Sequence, residues 1–205
     1  MERLFAIEGK FFRIMSTLAD LMILNLMWII ASIPIITIGA STTALFSVTF
    51  EMVEKKESYI IKSFWKVFLR NLKSSTVLWM IFLTEQMILA AVIGTLSYVQ
   101  GGVREPALIL AWMCEIILLL IWIPVIPLRA ARKDLTTAEV LRLAAFTAVA
   151  KLPWTVMLLV GTAVLTAVTL FYPLQVIPLW MFIGVAGNVW IISSVFHRTI
   201  IGAQA

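Results

Sequence analysis

The chain has 205 residues, of which 62% are hydrophobic and 13% charged, and its formal net charge is +5. An ordinary soluble domain carries roughly 25% charged residues and cannot hide so much apolar surface, because area falls too slowly with size. That argues against a soluble globule and for one integral membrane domain over residues 1–205, with lipid as the solvent.

The uncharged runs carry the same message in chain order. Residues 21–50 contain no charge, 74–103 only Glu85, 106–128 only Glu115, and 152–196 none. A helix rises about 1.5 Å per residue, so about 20 apolar residues cross the hydrocarbon core. The runs are too long, and alternate too little, for barrel strands. The fold class expected is therefore an all-α, polytopic transmembrane bundle.

The first segment places Leu4, Ile7, Phe11, Ile14 and Leu18 on one helical face. The long apolar run that follows is interrupted at Gly39-Ala40-Ser41, where a reversal of direction is expected, with 41–56 as the return. A second amphipathic segment sets Ile61, Phe64, Trp65, Phe68 and Leu72 against Lys62, Lys66, Arg70 and Lys73. Gly101-Gly102 marks a turn, and Pro106 falls where a helix begins, a position at which a missing N–H costs nothing. A third, weaker amphipathic segment runs from Thr137 to Lys151, with Thr136 and Glu139 at capping-box spacing. Pro153 opens the last apolar run. Its 45 residues form two crossings around a turn bracketed by Tyr172-Pro173 and Ile177-Pro178.

Charge counting arbitrates between five crossings and six. Lys and Arg collect in short cytoplasmic loops. If 41–56 crosses back, fifteen basic residues lie inside and only Arg104 outside; with five crossings the split is twelve against four. Six is favoured, with both termini in the cytoplasm, although 41–56 reaches only about 24 Å as a helix. Each hairpin is then preceded by an amphipathic helix that lies in the headgroup plane and reaches anionic lipid. Phe68 and Phe146 each stand five residues before a lysine, Lys73 and Lys151, which suggests a repeated unit of helix plus hairpin. This topology explains the basic residues without a nucleic-acid partner. No leader peptide is expected, because the first apolar run is too long.

Part of this pattern resembles a known family. The stretch Asp20 to Asn25, then Ile33-Pro34-Ile35-Ile36-Thr37-Ile38-Gly39-Ala40-Ser41-Thr42-Thr43-Ala44-Leu45, is similar to the YesL-like family of bacterial integral membrane proteins. So are Phe64, Phe68, Asn71 and Lys73, and later Lys151-Leu152-Pro153-Trp154-Thr155. The family places an Asn beside an Ala in the segment that here reads Arg142-Leu143-Ala144, so this chain departs from it there. The resemblance implies a companion of carbohydrate-utilisation systems, with a sugar-transporter permease as partner, and brings no catalytic motif.

Glu85 and Glu115 are the sharpest candidates for chemistry, since no Lys or Arg lies within a span to neutralise them. Read as function, they mark a proton- or cation-coupled pathway. Read as structure, each is a carboxyl hydrogen-bonded across helices to Trp, Ser or backbone. Asn25 and Asn188 complete the candidate intramembrane polar set, Asn25 as a helix clasp and Asn188 on a close-packing face with Gly184 and Gly187. Ala90 and Gly94 have the small-xxx-small spacing of approaching helices. Pro34, Pro124 and Pro127 each free a carbonyl, as kinks or as broken helices lining a site. Lys62, Lys66, Arg70 and Lys73 form a candidate docking or lipid-contact surface. The lone Cys114 offers neither a disulfide nor a zinc site. His197 has no nucleophile in register, and Gly39 to Thr43 starts like a nucleophile elbow but lacks its closing glycine. The expectation is a non-enzyme with no metal or cofactor. Its function is that of an accessory or regulatory component of carbohydrate uptake, or alternatively of a small-solute transporter using Glu85 and Glu115.

Overall fold

The computed structural model describes residues 10–54, 59–98, 101–132, 134–171 and 184–196, and among these every regular element is helical. The order is α1 (Lys10–Ser32), a 3-10 turn (Ile35–Thr37), α2 (Ile38–Val53), α3 (Ile60–Leu96), α4 (Arg104–Trp122), α5 (Val125–Ala131), α6 (Thr137–Ala150), α7 (Leu152–Phe171) and α8 (Val185–Phe196). Four stretches are long and apolar enough to cross a membrane: Ile14–Ser32, Ile35–Val53, Ile60–Leu96 and Arg104–Ala131. The pair α6 and α7, bent by 98°, makes a fifth if counted as one. The described residues therefore fit a membrane protein but do not reach six crossings. The expected turn at Tyr172 to Pro178, the residues Leu4 and Ile7, and His197 lie outside them.

The core is built around α2. Its residues from Gly39 to Phe50 are buried except Thr42, and α1, α3, α5 and α8 pack on it. The sequence of α2 explains this. Small and hydroxylated side chains let neighbouring backbones approach, and the hydroxyls are satisfied inside the helix: Thr42 Oγ1 donates to Ile38 O at 2.7 Å and Thr43 Oγ1 to Gly39 O at 2.8 Å. Gly39 marks the closest approach. A Cβ there would lie 2.6 Å from Ser75 O and 2.6 Å from Trp79 Cβ.

The chain reverses a few residues earlier than expected. Helix α1 ends at Ser32, and Pro34 leads into the 3-10 turn, so Gly39 to Ser41 belong to α2 itself. The reason is that Pro34 cannot continue a helix; the Ile30 carbonyl it frees takes the Ile33 N–H at 3.4 Å, and the Thr37 hydroxyl donates to Ala31 O and Pro34 O at 2.7 Å each. Ser32 and Ser41 hydroxyls meet at 2.6 Å, and Trp28 Nε1 donates to Thr42 Oγ1 at 3.1 Å.

The amphipathic segments differ from one another. The second is no separate helix lying in a plane, because it continues without a break into its span as the 37 residues of α3, about 55 Å long. Nothing between Phe68 and Thr76 breaks the helix, and Phe64, Val67, Phe68, Asn71, Ser75 and Leu78 form one buried face throughout. In the first segment, the described part likewise belongs to one helix, α1. Only the third is separate. Thr136 caps α6 with the full reciprocal box to Glu139, and the chain turns at Lys151 into α7. Phe68 is buried whereas Phe146 is exposed, so the sequence repeat does not carry into equivalent packing. Gly94 also departs from expectation, since nothing lies within 4 Å of a Cβ placed there.

Candidate functional site

Just before α4, Gly101 has φ of +120°, a conformation L side chains rarely adopt and glycine adopts freely; α3 and α4 pack on one another. They run back alongside one another, with the Phe82 and Trp122 rings 5.2 Å apart. That contact brings the Trp122 indole N–H onto Glu85 Oε2, to which it donates. Glu85 Oε1 is buried and has no hydrogen-bond partner among the described residues. The same holds for Gln86 Nε2 and for Glu115 Oε2. No hydrogen bond joins Glu85 to Glu115 among the described residues. Within the α3–α4 pair, Glu85, Gln86 and Glu115 thus contribute one engaged carboxyl oxygen and three polar atoms without partners among the described residues.

Trp122 also walls a cavity of about 110 Å³ whose lining includes Gly39, Thr43, Ser75, Trp79 and Phe82. The Ser75 hydroxyl is buried there without a partner among the described residues. On the outer side of α3, an open furrow passes Glu85 between Thr76 and Leu89. Chemically, a carboxylate with one committed oxygen, an adjacent amide and an indole can hold a helix pair together or pass a proton. No group of three or more His, Cys, Asp or Glu suited to a metal occurs among the described residues.

The other intramembrane candidates stand apart from this pair. Asn25 is fully buried on α1, and its Oδ1 accepts from the backbone N–H of Ala186 at 3.0 Å, at the start of α8. One of the free donors at that helix end is thereby satisfied. Asn188 is half-buried on α8, which packs on α1 and α2. Further down the same pair, Thr49 and Ser193 hydroxyls meet at 2.8 Å. The four candidates therefore do not converge on one site.

Lys62, Lys66, Arg70 and Lys73 are all exposed on α3. Behind them lies a feature the sequence reading missed. Arg129, on α5, is buried, and its guanidinium donates to Leu135 O at 2.5 Å, Ser74 Oγ at 2.7 Å and Asn71 Oδ1 at 3.3 Å. It ties α5, the connector to α6, and α3 together. The only sequence signal was its place as the first charge after the 106–128 run. Gln86 was missed as well, although it sits beside Glu85 in an otherwise apolar stretch.

Residues 21–93 match the model of a family described as a protein of unknown function, DUF624. The match takes in most of α1, all of α2 and α3 as far as Ile93, and so includes Asn25, Gly39, Asn71 and Glu85. No curated protein and no solved structure matches the chain.

Proposed function

We propose that this protein is an accessory or regulatory component of a bacterial carbohydrate-uptake or utilisation system. It is held in the cytoplasmic membrane with both termini in the cytoplasm, and it acts through contacts with other proteins, a sugar-transporter permease first among them. The carbohydrate context rests on the resemblance to the YesL-like family alone. What supports a non-transporting role is the use made of polar groups within the apolar helices. Glu85 takes the Trp122 indole, Asn25 takes the Ala186 amide, Trp28 reaches Thr42, and Thr49 meets Ser193. Polar side chains spent on neighbouring helices act as glue for the bundle. The exposed stripe Lys62, Lys66, Arg70 and Lys73 is the docking face in this reading.

A second reading, a small-solute transporter coupled to protons, is favoured by one observation: Glu85 Oε1 and Glu115 Oε2 are buried without partners among the described residues. Affinity purification from gently solubilised native membranes, paired with solute flux in liposomes, separates the two. An accessory component brings down a permease and moves no solute alone. A transporter moves solute alone and loses coupling in the double variant Glu85→Gln, Glu115→Gln.

A further inference from the structure

We infer that the α1–α2 hairpin does not cross the bilayer but is re-entrant, with its tip seated among the acyl chains of the cytoplasmic leaflet. The inference is independent of the accessory or transporting role. It rests on register. At the tip, Trp79 Nε1 donates to Ile35 O at 2.9 Å, and Gly39 sits against Ser75 and Trp79. At the other end of α2, Ser63 Oγ donates to Glu51 Oε2 at 3.0 Å. Helix α2 therefore runs beside residues 63–79 of α3, the half that carries Lys66, Arg70 and Lys73, all exposed. If α2 traversed the hydrocarbon, these three charges would stand in it. The other half of α3, in which Glu85 is the one charged residue, instead continues 17 residues past Trp79 to Leu96, about 26 Å. One slab of hydrocarbon about 30 Å thick cannot hold both hairpins at that stagger.

The tip is built for lipid. Ile33, Ile35 and Ile36 are 76%, 66% and 57% exposed, and no charge lies between Asp20 and Glu51. A reversal in hydrocarbon must satisfy its own backbone. Here Thr37 covers two carbonyls and Trp79 a third. Below the tip α1 turns Met22, Ile23, Leu26 and Ile30 outward, a row that an oblique hairpin lays against the same acyl chains. The first hairpin thus drops out of the six crossings counted from sequence. The count stays even, and both termini keep the same side.

Nitroxide depth measurements in proteoliposomes test this, with labels at Ile35→Cys, Met80→Cys and Tyr98→Cys in a Cys114→Ala background. All three native side chains are exposed, and each variant is first checked for a monodisperse elution profile. The expected result is an oxygen-accessible Ile35 label at the depth of the Met80 label, about 27 Å from that at Tyr98 by helical rise. An Ile35 label level with Tyr98 would overturn the inference, because the hairpin would then reach the far surface. Water exposure of the Ile35 and Met80 labels alike would overturn it too, by placing the tip outside the bilayer.

Discussion

Trp122 donates its indole N–H to the carboxylate of Glu85, so the most conspicuous intramembrane acid is held as one half of a cross-helix clasp. Trp122→Phe keeps the ring against Phe82 and removes only the donor. Hydrogen bonds between helices in lipid are worth about 0.6 kcal/mol on average and up to about 1.7. The variant should lose stability within that range, read as a lower midpoint in detergent-driven unfolding. A double-mutant cycle with Glu85→Leu, which removes the acceptor, should show coupling of the same size, whereas additive losses would mean that the contact is energetically idle.

Gly39→Ala should be far worse than Gly94→Ala or Gly161→Ala, the changes at helical glycines with open space around them. Its Cβ would meet backbone and Cβ atoms at 2.6 Å, neither of which is the far end of a flexible chain. Helices α2 and α3 must then move apart, at a cost of about 1–3 kcal/mol. Gly161→Ala is the control, since nothing lies within 4 Å there. In mid-helix it should gain about 0.5–1 kcal/mol. Thermal stability of the two purified variants reads the difference, and equal behaviour would refute the close approach.

Arg129→Lys should loosen the α5–α6 connector while leaving the charge in place. Lysine has no planar fork with which to reach Leu135 O, Ser74 and Asn71 together. Losing two of those bonds costs about 1–3 kcal/mol. Limited proteolysis near Leu135 should become several-fold faster, with the α3–α4 region unaffected. Unchanged cleavage would mean that packing alone secures the connector.

The α6 cap should weaken with acid. The backbone N–H and the hydroxyl of Thr136 both donate to Glu139 Oε2 at 2.8 Å. These bonds, the backbone one first, hold the Glu139 carboxyl below the usual glutamate range. Its folded value being lowered, the cap is complete above that range and is lost as pH falls through Glu139's own value. Amide exchange at Val140, corrected for its intrinsic rate, should rise over that acid window. Glu139→Gln should abolish the pH dependence, and Thr136→Ala should raise exchange already at neutral pH.

Much of this arrangement was legible because it depends on one-dimensional signals. Uncharged run length placed the apolar helices, and the Thr136 and Glu139 spacing gave the cap of α6. Other features depend on partners far along the chain, which periodicity does not encode. The break before α2 was misplaced because Gly39 reads as a turn residue, although its lack of a side chain serves a neighbouring helix. The amphipathic face of Phe64 and Phe68 was visible, but the same pattern suits an interfacial helix and the base of a long span. Glu85 was found because a charge in an apolar run stands out; Arg129 was passed over because it falls at the run's edge, where basic residues are commonplace.

The bond between Asn25 and Ala186 joins residues 161 positions apart, and this has a bearing on biosynthesis. A ribosome adds about 5–20 residues per second, so the amide oxygen of Asn25 is made roughly 8–32 s before its donor at Ala186. Through that interval Asn25 must do without the Ala186 donor. A chain that stops short of Ala186 therefore leaves this link between α1 and α8 unmade, however well α1 itself is formed.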